Sequence, residues 1–259
     1  MTGSKTNTSQ PALAVVVPVH NETENLDPLI SEITAALGGK TGFEILYVDD
    51  GSTDETLAKL KDIAGRVPEL RVLRHVNCCG QSAAIWTGVR AAKAPVIATL
   101  DGDGQNDPAD IPALLDKYNS EGGGERLMIA GLRAKRRDTY IRRLSSRIAN
   151  GIRSGMLKDD TPDTGCGLKV FPRQAFLDFP RFDHMHRFMP ALMIRLGGKV
   201  MSVPVNHRPR ERGTSKYGVW NRLWVGIVDL FGVMWLQSRG SKPEVVEETP
   251  GSDGSGSAR

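Results

Sequence analysis

Short apolar runs alternate with amphipathic stretches through the first half of the chain. Five runs rich in β-branched residues predict strands, at residues 12–19, 43–50, 70–75, 95–101 and 126–132. Between them, apolar residues recur at helical spacing and predict helices, at residues 25–37, 54–67, 80–92 and 108–119. Ser52 and Glu55 have the S-x-x-E spacing of a capping box, which predicts the start of the second helix. This order is typical of βαβ units, so the sequence predicts an α/β fold with a largely parallel sheet.

The alternation weakens after residue 132. The pattern there predicts a basic helix, a strand, a helix and a second strand, at residues 138–156, 164–171, 187–196 and 199–205. Residues 219–239 predict a final helix that is apolar around most of its circumference. The two ends, residues 1–10 and 240–259, are rich in small and polar residues and are predicted to be disordered. We therefore expect one folded domain over residues 11–218, followed by the apolar helix.

The composition is that of an ordinary globular chain, with 39% apolar, 25% charged and 6% aromatic residues in 259. Neither a run of about 20 apolar residues nor a signal peptide stands out, so we expect a cytoplasmic location. Cys78, Cys79 and Cys166 are odd in number and lack zinc-ligand spacing. A disulfide framework and a structural metal are therefore not expected, and the thiols are predicted to be inert.

Positive charge is concentrated in one segment. The chain has 34 basic and 30 acidic side chains, yet residues 133–153 alone carry eight basic residues and one acid, Asp138. A solvated helix face explains such a run, and so does attraction to an anionic membrane, a phosphorylated substrate or nucleic acid. The rest of the sequence has to decide between these interpretations.

Polar residues follow three of the predicted strands. Residues 18–22 close the first strand, residues 49–54 the second and residues 101–105 the fourth. Any one of these segments could be turn chemistry, because Asp, Asn and Gly favour turns and helix caps. Ligands bind at the carboxyl ends of the strands in open α/β sheets, however, so three acidic ends at one edge indicate a binding site.

Carboxylates gathered at a strand end favour a hard cation. Asp101, Asp103 and Gln105 offer oxygen ligands in a D-x-D-x-Q pattern, which suits Mg²⁺ or Mn²⁺ and leaves positions open for phosphate oxygens. In an extended segment these side chains would point to the same side. No glycine-rich phosphate loop follows the first strand, which argues against an NTPase or a dinucleotide enzyme.

Six motifs in order carry a family resemblance. They are VVVPVHNETENL, ILYVDDGSTDET, NCCGQSAAIWTGVRAA, ATLDGDGQNDP, DTGCGLKVF and RERGTSKYG. Together they resemble the inverting family 2 glycosyltransferases of GT-A fold, and within them the dolichol-phosphate mannose synthase-like branch. The resemblance covers residues 12–237. It implies a GT-A catalytic domain with a doubly wound mixed sheet and helices on both faces, and transfer of a sugar from a nucleotide diphosphate to a polyprenyl phosphate.

The resemblance also implies roles for individual residues. The nucleotide-sugar pocket is expected to be lined by Pro18, Asn21, Glu22, Asp49, Asp50, Asp101 and Ser215. The metal ligands implied are Asp101, Asp103 and Gln105. Contacts to the acceptor phosphate are implied for Arg133 and for Lys169, which stands where the family often has arginine. Catalytic roles are implied for Asp103, Arg210 and Lys216, the last two in an R-x-x-G-x-S-K loop that closes over the substrates.

Structural explanations exist for several of these residues. Asn21 could be a turn residue, Asp49 a helix cap and Arg210 an exposed base, while Cys166 lies between glycines that could simply bend a strand. Two other functions also stay open: a glycosyltransferase acting on a saccharide or protein hydroxyl, with Asp163 as its base, and a non-catalytic nucleotide-sugar-binding scaffold.

The expected partners are a nucleotide-diphosphate sugar, a polyprenyl phosphate and a membrane surface, with no nucleic acid. In the last helix, Trp224 and Trp235 lie between Arg222 and Arg239, which is typical of an interfacial helix. Its apolar residues, expected to enter the interface, include Leu223, Ile227, Leu230, Phe231 and Met234. Asp229 opposes a full span, and a core or dimer-interface helix is the alternative. We expect a peripheral enzyme at the inner membrane face; the sugar, the nucleotide and any homo-oligomer are not determined.

Overall fold

The structure is a computed structural model of the 259-residue chain, and it describes residues 10–133, 155–157, 161–209 and 219–239. In the last of these ranges the side chains are described from residue 226 onward. Both predicted disordered ends lie outside the described residues, apart from residue 10. The predicted basic helix at residues 138–156 lies outside them too, except for residues 155 and 156, which belong to the helical residues 155–157.

Strands and helices alternate as the sequence predicts. The strands are β1 Leu13–Val19, β2 Phe43–Asp50, β3 Leu70–His75, β4 Val96–Thr99, β5 Leu127–Arg133, β6 Lys169–Pro172 and β7 Lys199–Val205. The α-helices are α1 Leu26–Leu37, α2 Thr56–Ala64, α3 Gln81–Ala91, α4 Ile111–Ser120, α5 Arg173–Leu177, α6 Met189–Arg195 and α7 Val219–Ser238. Short 3₁₀ turns occupy Thr23–Asn25, Pro108–Asp110 and Met185–Arg187.

These strands form one mixed sheet in the order β3-β2-β1-β4-β6-β5-β7. The neighbours β1–β2, β2–β3, β1–β4 and β5–β7 are parallel, whereas β6 is antiparallel to both β4 and β5. The carboxyl ends of the parallel strands therefore lie along one edge of the sheet. The ends of β1 and β4 are next to each other there. The predicted doubly wound α/β architecture is confirmed.

Apolar side chains cover both faces of the sheet. On one face, Val15, Val17, Ile45 and Ile129 pack against α1, α2 and α4 in one buried cluster. On the other face, Ala14, Val16 and Leu46 pack against α3, α5 and α6 in a second cluster. Because β1 is buried along its whole length, it has no solvent-facing side and reads as a continuous apolar run in the sequence.

Several predicted boundaries are wrong. The fourth strand ends at Thr99, before the first acidic residue, and the strand predicted for residues 164–171 begins only at Lys169. The five-residue helix α5 was not predicted. The capping box is also wrong, because the Ser52 hydroxyl accepts a hydrogen bond from the backbone N–H of Asn21 (2.9 Å). The α2 residue Thr56 has its N–H bound by Asp54 instead (3.0 Å).

Helix α7 has a packed face and an exposed face. Leu230, Val233 and Met234 contact the second core cluster, so Leu230 and Met234 do not lie on the outer surface as predicted. The Gln237 side chain donates to the Leu157 carbonyl (2.9 Å). The exposed apolar residues are Ile227, Val228, Phe231 and Trp235. Among the described residues, no helix is both long and apolar enough to cross a membrane.

Candidate active site

The turns after β1 and β2 are joined through Asn21. This residue has a positive φ of 56°, a left-handed conformation that Asn tolerates better than most residues. Its side-chain oxygen accepts from the N–H of Thr53 (2.8 Å), and its side-chain nitrogen donates to the Thr53 hydroxyl (3.3 Å). Asn21 is thus the turn residue that one interpretation predicted, and it lies at the sheet edge where the nucleotide pocket is expected.

Glu22 continues the same connection. Its backbone N–H donates to the Thr56 hydroxyl (3.0 Å), and its carboxylate accepts from the Asn25 side chain (2.6 Å). Pro18 is buried within β1, and its carbonyl lies beside Gly102, where an added Cβ would approach it to 2.9 Å. Pro18 is thus next to the loop that follows β4, whereas Glu22 is bound to Thr56 at the start of α2.

Asp49 and Asp50, the last residues of β2, are both buried but differ in their hydrogen bonds. Asp49 is fully buried; one of its oxygens accepts from the N–H of Ser52 (3.1 Å), and within the described part of the chain the other has no partner. Asp50 accepts from the N–H groups of Cys79 (2.8 Å) and Gly80 (2.7 Å). The Asp50 carboxylate therefore fixes the loop between β3 and α3.

A histidine and two thiols surround Asp50. The Nδ1 of His75 lies 2.7 Å from its carboxylate, and the Cys78 thiol donates to it (3.3 Å). Although burial alone would raise the pKa of Asp50, these hydrogen bonds hold it below the usual range. The ligand atoms of Asp50, His75 and Cys79 lie within 4.8 Å of one another, so this cluster also has the donor types of a metal site.

The acidic motif after β4 is a turn, not the extended segment that its spacing suggested. Gly104 has a φ of 73°, and the Asp103 carboxylate accepts from the N–H of Gln105 (3.1 Å). Asp101 accepts a hydrogen bond from the Gln81 side chain at the start of α3 (2.8 Å). The turn brings the two carboxylates close enough for the charge of Asp103 to act on Asp101.

The residues at this turn fit a divalent cation. Burial, together with the nearby charge of Asp103, raises the pKa of Asp101 to about 6. Two carboxylates held together against their repulsion form a donor set of hard oxygens, as Mg²⁺ and Mn²⁺ prefer. Gly167 packs directly on the Asp101 carboxylate, and an added Cβ there would overlap it. The space that the Asp101 carboxylate occupies thus requires a glycine at position 167.

Gln105, the third predicted ligand, is fixed by its neighbours. Its side-chain nitrogen donates to the Arg208 carbonyl (3.4 Å), which constrains the side chain that would offer the amide oxygen to a metal. Asn106 follows and is buried, and its side-chain oxygen accepts from the backbone N–H of Asp101 (3.3 Å). Asn106 lies within the quoted ATLDGDGQNDP motif, but its supporting role was not recognised from the sequence.

Arg133 forms a buried two-pronged ion pair at the end of β5. Its Nε and Nη2 each donate to one oxygen of Asp163, both at 2.6 Å. Burial works against the charge, but the Asp163 hydrogen bonds outweigh it and raise the pKa of Arg133. Asp163, which the sequence offered as a candidate base, is therefore bound to a permanent cation.

Lys169 begins β6 and is only 3% exposed. Its ammonium group donates to the Cys166 carbonyl. Burial lowers the pKa of Lys169, while the charges of Asp101 and Asp163 act in the opposite direction. The positive charges of Lys169 and Arg133 both act on Asp101, so the predicted acidic and basic groups belong to one cluster.

Helix α3 contributes two further residues that the sequence did not single out. Gln81 binds Asp101, and the Ser82 hydroxyl lies 2.8 Å from Nδ1 of His186. Burial is the main reason that the pKa of His186 is lowered to about 3, so its ring is neutral at physiological pH. Gln81 and Ser82 follow the two cysteines in the third motif, but no spacing rule identifies them.

The remaining predicted residues, Arg210, Ser215 and Lys216, lie outside the described residues. Their predicted roles in catalysis and in nucleotide binding stay predictions. Residues 206–209 precede them. They lie beside the turn at residues 101–105, called the metal-motif turn below, as the antiparallel bridge between Asn106 and His207 shows.

The sequence matches known glycosyltransferases. Residues 14–179 match the family described as Glycosyl transferase family 2. The chain is 34% identical over 236 residues to the dodecaprenyl-phosphate galacturonate synthase of Rhizobium johnstonii, covering 89% of this chain and 69% of that protein. It is 37% identical over 209 residues to the undecaprenyl-phosphate 4-deoxy-4-formamido-L-arabinose transferase of an Enterobacter strain, covering 79% of this chain and 62% of the relative.

Solved structures of similar fold support the architecture. A mannosyltransferase from Pyrobaculum calidifontis, in complex with GDP-Man and Mn²⁺, superposes with a TM-score of 0.66 at 21% identity, covering 91% of this chain and 67% of that one. The glucosyl-3-phosphoglycerate synthase of Mycobacterium tuberculosis, in complex with Mg²⁺ and UDP, gives 0.61 at 17% identity, covering 90% and 81%. At these identities the likeness establishes the fold, which is the predicted GT-A fold.

Proposed function

Because the chain belongs to glycosyl transferase family 2, we propose that it transfers a sugar from a nucleotide-diphosphate sugar to a polyprenyl phosphate. The observation that carries this proposal is a single cluster in which Asp101 lies against Gly167 and Arg133 lies against Gly165 of the same loop. The charges of Asp103, Arg133 and Lys169 all act on Asp101. The names of the two relatives agree with a polyprenyl-phosphate acceptor.

The acidic half of the cluster is assigned to the donor. We propose that Asp101, Asp103 and Gln105 hold Mg²⁺ or Mn²⁺ and that the turns after β1 and β2 hold the nucleotide. The bound cation would supply Lewis-acid stabilisation of the charge that develops on the leaving diphosphate. Asn21 and Asp50 shape the pocket through the loops that they fix. The Asp49 oxygen that has no partner among the described residues is a candidate for receiving a nucleotide hydroxyl or N–H.

The basic half is assigned to the acceptor. A guanidinium carries five N–H groups, of which Arg133 gives two to the side chain of Asp163. The other three are not engaged by that carboxylate, and they can face a phosphate with a fixed geometry. Lys169 is buried, which supports an electrostatic contribution to the phosphate site; direct contact with the acceptor stays a prediction.

A phosphate acceptor needs no base on the protein. Its second pKa is about 6, so it is already a dianion for much of the time near neutral pH and can attack the anomeric carbon directly. The residues then have to bring two anionic groups together and orient them for in-line displacement, which inverts the anomeric configuration. The involvement of Asp163 in an ion pair supports this mechanism over a hydroxyl acceptor that needs a base.

The closing step is assigned to residues outside the described part of the chain. We propose that Arg210, Ser215 and Lys216 cover the donor diphosphate and the acceptor once both are bound. Catalysis by Asp103, Arg210 and Lys216 would then be electrostatic, with the cations acting on charge that builds up in the transition state.

We place the enzyme at the inner face of a membrane through α7. Phe231 and Trp235 are 59% and 60% exposed, and they lie on the same side as Val228 because the three are spaced three and four residues apart. This apolar face points away from the core contacts of Val233. An interfacial helix would use such a face against lipid, and the basic segment at residues 133–153 would add attraction to anionic headgroups.

Donor and acceptor profiling tests the proposal. Purified protein is incubated with UDP- and GDP-sugars, Mn²⁺ or Mg²⁺ and a short polyprenyl phosphate, and the lipid product is measured. We expect transfer that EDTA abolishes and that Asp103→Ala reduces at least a hundredfold with the fold intact. Transfer to a saccharide hydroxyl but not to the lipid phosphate would favour the alternative enzyme. Donor binding with metal but without turnover would favour the scaffold.

A further inference from the structure

The segment after β7 runs antiparallel to the loop that carries the metal motif. The backbone N–H of Arg208 donates to the carbonyl of Gln105 (2.9 Å), and the Gln105 side chain donates back to the Arg208 carbonyl (3.4 Å). The adjacent residues Asn106 and His207 form an antiparallel bridge. Residues 206–208 are therefore fastened to the turn that presents Asp101 and Asp103.

The Arg208 side chain fastens this pair of segments to the rest of the domain. Its Nη1 donates to both carboxylate oxygens of Glu32 on α1, at 3.0 and 2.8 Å. Its Nη2 lies 2.7 Å from the carboxylate of Asp107, which caps the 3₁₀ turn Pro108–Asp110 after the motif. One guanidinium thus joins α1, the end of the metal-motif loop and its own segment.

Glu32 is a firm attachment point because its helix is firmly packed. Leu29, Ile30 and Ile33 of α1 are buried in the first core cluster. The metal-motif turn, in contrast, contains two glycines, Gly102 and Gly104, and lies beyond the end of β4. A turn of this composition has many accessible conformations, so holding one of them requires contacts from outside the turn.

The ion pairs of Arg208 are partly exposed to solvent, with side-chain exposure of 39% for Arg208 and 40% for Glu32. Pairs of this kind add little to the stability of a fold. The planar fork of arginine can meet two carboxylates in fixed directions, which an ammonium group cannot do. The arrangement is therefore better suited to fixing a geometry than to stabilising the domain.

We propose that Arg208 is a positioning residue that holds the Asp101–Asp107 loop in the conformation that binds the divalent cation and the donor diphosphate. The inference rests on the proposed function. It assigns a role to a residue that neither the motifs nor the family resemblance singled out. Arg208→Ala tests the guanidinium alone, because both hydrogen bonds between Gln105 and Arg208 use only backbone atoms of Arg208.

The test measures Mn²⁺ binding to the full chain by electron paramagnetic resonance of free Mn²⁺, with saturating UDP or GDP in separate series. Arg208→Ala is expected to raise the Mn²⁺ dissociation constant at least tenfold, with a partial loss for Arg208→Lys and for Glu32→Gln. Arg66→Ala is the matched control, because Arg66 also bridges two carboxylates, those of Asp27 and Asp62, neither of which belongs to the loop at residues 101–107. It should leave the constant within twofold.

Thermal melting of the same variants distinguishes a positioning effect on the metal site from a loss of overall stability. Arg208→Ala and Arg66→Ala should lower the melting temperature by similar small amounts, although only the first weakens Mn²⁺ binding. An Arg208→Ala protein that binds Mn²⁺ within twofold of the wild type overturns the inference alone. If the wild type fails to bind Mn²⁺ both with UDP and with GDP, the proposed function is overturned, and the inference with it. Should Arg208→Ala not fold, Arg208→Lys and Glu32→Gln decide by the same criterion.

Discussion

Arg133 and Asp163 face each other through two parallel hydrogen bonds of 2.6 Å, and both side chains are largely buried. This ion pair joins the end of β5 to the segment before β6, two places that are 30 residues apart in the chain. Its consequence is that the guanidinium is held in one orientation before any acceptor arrives. Such preorganisation lowers the cost of binding a phosphate, because the side chain has already lost its rotational freedom.

Replacing Asp163 by Asn should therefore weaken acceptor binding more than it slows the chemical step. Without the carboxylate, the Arg133 fork loses its anchor, and we expect the KM for polyprenyl phosphate to rise about tenfold with a smaller change in kcat. Initial rates over a range of acceptor concentrations and pH values check this. A thousandfold fall in kcat, together with loss of the acidic limb of the pH profile, would instead identify Asp163 as a general base.

Gly167→Ala should disable the metal site through a steric effect. The new Cβ would overlap the Asp101 carboxylate, so either the Asp101 side chain or the backbone just before β6 has to move. We expect at least a tenfold loss of Mn²⁺ affinity by titration. The matched control is Gly124→Ala, where an added Cβ meets nothing within 4 Å and the affinity should not change. Equal affinities in the two variants would show that Asp101 does not depend on this close contact.

Asp101→Asn should stabilise the metal-free protein while abolishing metal binding. The pKa of Asp101 is about 6 in the folded state against 3.8 for a free side chain. Between pH 3.8 and about pH 6, the Asp101 carboxyl therefore holds a proton more often in the folded protein than in the unfolded protein. The free energy of unfolding therefore falls as the pH rises from about 4 to 6. At about 1.4 kcal/mol per pKa unit, the gain from Asn at pH 7.5 is at most about 3 kcal/mol.

Urea denaturation in EDTA at pH 4 and pH 7.5 measures this effect. The stabilisation should be present at pH 7.5 and largely absent at pH 4, where the native carboxyl is protonated as well. Asp116→Asn on the exposed side of α4 serves as the control and should change little at either pH. Equal or lower stability of Asp101→Asn at pH 7.5 would contradict the assigned cause of the raised pKa.

The two faces of α7 should respond differently to polar substitution. Phe231→Ser and Trp235→Ser alter the exposed face, so we expect at least a fivefold loss of sedimentation with anionic liposomes and little change in melting temperature. Val233→Ser alters the packed face and should lower the melting temperature while the folded protein still binds lipid. Aggregation of the exposed-face variants, with no lipid binding by the wild type, would identify α7 as a protein interface.

Much of the architecture could be predicted from the sequence, because burial imposes a regular pattern. The fully buried strand β1 appears as an unbroken apolar run, and α1 repeats its buried residues at helical spacing. The polar ends of β1, β2 and β4 could be identified for the same reason, since acidic residues directly after buried strands interrupt the apolar pattern. Pattern and motif order together predicted the family and the edge of the sheet that carries the site.

The tertiary structure decided which side chains meet. Nothing in the spacing pairs Arg133 with Asp163, or Gln81 with Asp101, since these contacts depend on how distant segments lie across the sheet. The turn at Asp101–Gln105 was predicted as extended because local spacing cannot show that Gly104 takes a positive φ. Arg208 had no motif at all, and its role depends on Glu32, 176 residues away. Sequence determines such contacts only through the packed fold, where burial and charge select one arrangement among many.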